Sequence, residues 1–148
     1  MIGKHLVTTA LMLMVVPALA HDHATGVVKE RMDMMEAMDK SLNAIGSKLK
    51  SKRNLPAIKK DAETLQAHAP HLVHLFPSGS TQPPTEAKPA IWQNFADFEA
   101  KAKAFEVEAG KLAAMDMGDA GAIANQVRVV TETCSVCHDV YRAKQARR

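Results

Sequence analysis

The chain has 148 residues, 47% of them hydrophobic and 4% aromatic, with nine Met, two Cys and a net charge of +3. That length and apolar content suit one globular domain, with or without a processing segment, and argue against disorder. Two cysteines are too few for a disulfide scaffold, and the near-balanced charge argues against a dedicated nucleic-acid binder.

Residues 1–20 read as a leader. Lys4 and His5 precede an apolar run from Leu6 to Val16, followed by Pro17 and Ala18-Leu19-Ala20, the pattern of a cleaved secretory signal. The run is too short for a stable bilayer anchor, and no other segment reads as one, so no stable membrane insertion is expected. The mature chain is expected to be one domain over 21–148, working in the periplasm, an exported and oxidising compartment. Without Lys4 its net charge falls from +3 to +2.

Four helices and no strands are predicted after the leader. The first runs from Gly26 to Lys50, with Val28, Met32, Met35, Met38, Leu42, Ile45 and Leu49 on one face at steps of three and four, and Met34 rotated away. Asn54 is placed to cap the second, with Pro56 in its first turn, Ile58, Ala62, Leu65 and Leu72 facing inward, and Pro70 interrupting it. The turn-rich stretch 77–84 is a loop. The third helix starts near Pro89, carries Ile91, Trp92, Phe95, Phe98, Ala102, Phe105, Ala109 and Leu112, and ends at Gly118. Asp119 caps the fourth, which presents Ile123, Val127, Val130, Cys134, Cys137 and Tyr141. Four narrow apolar stripes close a common core most simply as an all-α, antiparallel four-helix bundle, an architecture that often seats cofactors between facing helices.

Cys134-Ser135-Val136-Cys137-His138 has the C-x-x-C-H spacing of covalent haem attachment, and it uses both cysteines of the chain. Two thiols add across the two vinyl groups of haem, and the adjacent imidazole reaches the iron as an axial ligand. Three other readings compete. A zinc site needs further ligands, a thioredoxin-like pair needs a βαβ setting, and a local disulfide leaves His138 without a role. One haem c, held through Cys134 and Cys137, is the expected cofactor. Such a large apolar body also fills a core that has only one Trp, one Tyr and four Phe to draw on. On periodicity alone, Met32, Met35 and Met38 are all candidates to face it.

The sequence resembles the class II cytochromes c, four-helix bundles whose haem motif lies near the C-terminus. The resemblance rests on Cys134 to His138 followed by Asp139-Val140-Tyr141-Arg142, on Arg31-Met32-Asp33-Met34-Met35, on Leu75-Phe76-Pro77, and on Pro89-Ala90-Ile91-Trp92. It spans nearly the whole mature chain, with the haem motif as its specific part. The family has a high-spin, five-coordinate branch, the cytochromes c-prime, in which an apolar residue shields the sixth position against all but small gases, and a low-spin branch with His/Met ligation. Counting four residues on from Arg31, the resemblance implies Met35 as the distal residue and Arg31 as the arginine that binds a propionate. It points to the low-spin branch, with His138 and Met35 as metal ligands. Thioether ligation raises the potential of a haem, although Met is also a common gap-filler in cores.

One turn beyond His138, Arg142 is placed on the same helix face to pair with a propionate or screen the proximal pocket. Tyr141 and Trp92 read as core packing. His68, His71 and His74 lack metal-ligand spacing and read as solvated. His21-Asp22-His23, if it starts the mature chain, has the form of a copper or nickel chelate with backbone nitrogens. Lys48, Lys50, Lys52, Arg53, Lys59 and Lys60 surround the first connection and could steer an acidic redox partner. The expected function is a periplasmic electron carrier, without catalytic residues, serving redox partner proteins and able to form a homodimer. The alternative is a five-coordinate protein that binds nitric oxide or carbon monoxide.

Overall fold

The computed structural model describes residues 24–144. The expected leader over 1–20, the domain start at His21 and the His21-Asp22-His23 motif lie outside these residues. Five α-helices follow in order: α1 Gly26–Ser51, α2 Ile58–His68, α3 Ala90–Gln93, α4 Phe95–Ala114 and α5 Ala120–Tyr141. Among the described residues the other regular features are short 3₁₀ turns and one antiparallel bridge between Ala87 and Arg142.

Side-chain contacts between helix ends set the topology. Lys48 at the end of α1 pairs with Asp61 at the start of α2. Lys59 of α2 donates to the Ala113 carbonyl at the end of α4. Tyr141, the last residue of α5, donates to Asp97 at the start of α4. Each helix therefore runs against its neighbour, giving the expected antiparallel four-helix bundle, with α3 as a short lead-in to α4.

The core is largely aliphatic, with a few aromatic rings: Ile45, Ile58, Leu65, Ile91, Phe98, Leu112, Ile123 and Val130 have almost no exposed surface. Burying each such side chain contributes about 1.5–3 kcal/mol. These residues join α1 to α2, α2 to α4 and α4 to α5, whereas α1 and α5 touch only sparsely. The bundle thus has three packed seams and one loose one.

Several boundaries differ from expectation. Asn54 does not cap through its side chain; it sits in the left-handed region at φ 52° before a 3₁₀ turn, Leu55–Ala57, which delays α2 to Ile58. Pro70 does interrupt the second helix, which continues as 3₁₀ turns to Leu75. The third predicted helix is broken at Asn94, whose φ of −136° is not helical, and it ends at Ala114 rather than Gly118. Asp119 caps α5 as expected, accepting from the backbone N–H groups of Gly121 and Ala122 at 2.8 and 3.0 Å.

Candidate haem centre

Cys134, Cys137 and His138 lie on the last two turns of α5, all half-buried, with the two cysteines packed against the core. Spacings of three and four place Cys134, Cys137, His138 and Tyr141 on one side of the helix. The two sulfurs are free thiols. Burial raises both, and Cys137 is pushed up to about 11, with its neighbour Cys134 adding to the shift. Burial thus favours the protonated thiol over the thiolate that redox exchange uses. Burial also lowers His138, helped by the charge of Arg142 against the opposing Asp139 and Glu86. Its imidazole is thereby favoured in the neutral form, the form in which a ring nitrogen binds a metal.

Across the loose seam stands the N-terminal half of α1. Val28, Arg31, Met38, Ser41 and Ile45 form its buried line. Met34 and Met35 are both half-buried and packed against the core, whereas Met32 makes no such packing. The sequence reading of Met34 as rotated away is therefore corrected. A 26-residue helix at 3.6 residues per turn lets positions 34 and 35 share the inner face between Arg31 and Met38.

Arg31 is not a solvated surface arginine: only 4% of it is exposed. Its Nη2 donates to the Ser80 carbonyl at 2.9 Å, and its guanidinium lies 4.5 Å from the centre of the Phe76 ring. Nε and Nη1 are buried and have no partner. A buried donor left unpaired costs about 1–3 kcal/mol, more when charged. The site is thus short of an anionic acceptor.

Arg142 departs from its expected place. The helix ends at Tyr141, and Arg142 is extended, 49% exposed in its side chain, and bound through Nε to Glu86 at 2.6 Å. With the Ala87–Arg142 bridge and the Ala143 N–H to Glu86 carbonyl bond, it fastens the 85–88 segment across the end of α5. Tyr141 is core, as expected, edge-on to Phe98 at 5.5 Å. Trp92 is not fully core: it is half-buried, its indole N–H shared between the Phe76 and Pro77 carbonyls, each at 3.0 Å. No local sequence signal marks Asp97, Glu86, Phe76 and Ser80 for these roles, because their partners Tyr141, Arg142 and Arg31 are distant in sequence. His71 and His74 are exposed as expected, whereas His68, at the end of α2, is half-buried rather than solvated; among the described residues no group of three or more His, Cys, Asp or Glu gathers to hold a metal ion.

The residues fit a haem. Two half-buried thiols and a neutral imidazole have the donor chemistry of thioether attachment and axial ligation, and the partnerless Arg31 nitrogens suit a propionate. A C-x-x-C-H helix facing a loosely packed helix in an antiparallel bundle defines a c-type haem protein.

The family model for cytochrome c' matches residues 26–142, and the chain belongs to that family. It is 31% identical over 125 residues to cytochrome c-556 of Agrobacterium fabrum, covering 83% of this chain and 85% of that one. It is 32% identical over 143 residues to cytochrome c' of Rhodospirillum rubrum, covering 88% and 97%. Among solved structures, the nitric oxide complex of a variant cytochrome c' from Alcaligenes xylosoxidans superposes with a TM-score of 0.73 at 28% identity, covering 80% and 94%. The chain is accordingly a c-type cytochrome with covalently bound haem c.

Proposed function

We propose that this cytochrome is an exported electron carrier whose haem is attached through Cys134 and Cys137 and ligated by His138 and Met35. When bound, the haem supplies reversible one-electron chemistry; the chain holds, orients and shields it. His138 offers a neutral ring nitrogen, Arg31 offers two unused donors to a propionate, and Arg142, held by Glu86, adds positive charge beside His138. No residue is assigned a catalytic role. The observation that carries the reading is Met35, half-buried on the inner face of α1, one turn beyond Arg31 and across the loose seam from the cysteine helix. Thioether ligation favours the reduced state and leaves no open position for a gas.

The test is the ferrous spectrum of the holoprotein. A low-spin spectrum unmoved by carbon monoxide is expected. Met35→Ala should convert it to a high-spin, carbon-monoxide-binding form, while Met32→Ala, Met34→Ala and Met38→Ala leave it low-spin. A second reading, a gas-binding haem with Met35 only packed beside it, is favoured by the nitric oxide complex of the A. xylosoxidans protein. A wild-type spectrum that is high-spin and shifts with the gas would establish it instead.

A further inference from the structure

The six cations around the α1–α2 connection divide in two. Lys48 is taken by Asp61 and Lys59 by the Ala113 carbonyl. Lys50, Lys52, Arg53 and Lys60 are exposed and meet no carboxylate among the described residues. Elsewhere six cations are tied to acids, among them Lys101 to Asp97 and Arg142 to Glu86. Among the described residues Lys88, Arg128 and Lys144 also pair with no acid, but no other part of the bundle gathers four such cations as this hairpin tip does.

Helix stability accounts for only part of this. Cations in the last turn of α1 complement its dipole, but Lys60 lies in the first turn of α2, where a cation opposes the dipole. Lys52 closes α1 with φ 51°, a left-handed conformation that glycine takes more readily.

Position excludes a direct electron-exchange role. A ladder of contacts joins Arg31 to Phe76, Phe76 to Phe98 and Phe98 to Tyr141, so the N-terminal half of α1 and the end of α5 share one pole of the bundle. Lys50 lies 15 residues beyond Met35 on the same helix, or about 22 Å along its axis. Electron tunnelling falls exponentially with distance, so a redox partner docked at this tip would be poorly placed. The tip is a helix–helix connection bearing the exposed Pro56 and half-buried Leu55 among long, exposed cations. That combination suits a diffuse array of anionic headgroups.

We infer that the α1–α2 tip is an electrostatic anchor for anionic lipid headgroups, holding the molecule on a membrane surface with its haem pole turned away. This goes beyond the electron-carrier reading and stands or falls separately from it.

The experiment is co-sedimentation of the holoprotein with vesicles of phosphatidylcholine alone and of phosphatidylcholine mixed with phosphatidylglycerol. Binding is expected only to the mixed vesicles, weakening with salt. Each neutralised cation should lower the partition coefficient about 5-fold, read in K50Q, R53Q, K60Q and the triple variant. K88Q/K144Q, which removes cations at the haem pole, should bind as the wild type does. The haem spectrum of each variant checks that it has folded. Absence of binding to mixed vesicles at low salt overturns the proposal, as does equal loss in K88Q/K144Q. Displacement by inorganic phosphate at constant ionic strength would indicate a small-anion site instead. Tip-dependent binding to polyglutamate without vesicle binding would indicate an acidic protein. Either result overturns the lipid assignment.

Discussion

Tyr141 donates its hydroxyl to Asp97 at 2.6 Å, and Asp97 is also held by Lys101 at 2.9 Å. The hydrogen bond to Asp97, with burial behind it, raises the Tyr141 phenol from 10 to about 12. The same bond, then Lys101, holds Asp97 below the usual carboxylate range. A raised phenol contributes stability in full below pH 10 and loses it as pH climbs toward 12; a lowered carboxylate contributes at higher pH and loses it on acidification. Tyr141→Phe should therefore lower the melting temperature by an amount that is steady through neutral pH and shrinks between pH 10 and 12. A gap that persists unchanged at pH 12 would contradict this. The haem motif was fully legible from residue type and spacing. The burial of Arg31 was not, because charged residues are rarely buried unless paired, and its partners Phe76 and Ser80 lie some fifty positions away. Met34 was misplaced because choosing steps of three or four along a long helix leaves the centre of the stripe uncertain by one position.

At the scale of single helices, α5 has the one side-chain cap that was correctly foreseen. Asp119 satisfies two of the four backbone donors that a helix start leaves open. Asp119→Ala should cost about 1 kcal/mol of unfolding free energy, measured by denaturant titration with an unchanged slope. A loss within experimental error would mean that water replaces the cap without penalty. The helices themselves were legible because their apolar spacing is strong, and the failures cluster where distant contacts decide. Asn94 breaks the third predicted helix while its carbonyl accepts from the Tyr141 hydroxyl at 3.3 Å, a bond from another helix that local spacing does not reveal. Asn54 has a good capping side chain, but the 3₁₀ turn through Pro56 starts before α2 and moves the helix start beyond its reach.

Over the whole molecule, α2 and α4 have packed helices on both sides, whereas α1 and α5 each have one full neighbour and the loose seam between them. Protein made without its cofactor, as Cys134→Ala/Cys137→Ala, should show faster amide exchange over 27–38 and 131–141 than through α2 and α4. Uniform protection across all four helices would show that the seam closes unaided. Both helices that face the site are legible in the sequence, whereas the placing of the basic run and the haem motif at opposite poles is not. Helix direction becomes known only once the hairpins are paired. The loose seam also joins the first and last helices, so its two walls, Met35 and His138, are about a hundred residues apart along the chain. The entropy lost in closing so long a loop grows only with the logarithm of its length, about 0.6 kcal/mol for each doubling. Insertions beyond Gln82, clear of the Ser80 carbonyl that holds Arg31, would therefore scarcely loosen the grip of α1 on the site. That grip is set by the rigidity of the two helical hairpins rather than by the length of chain between them.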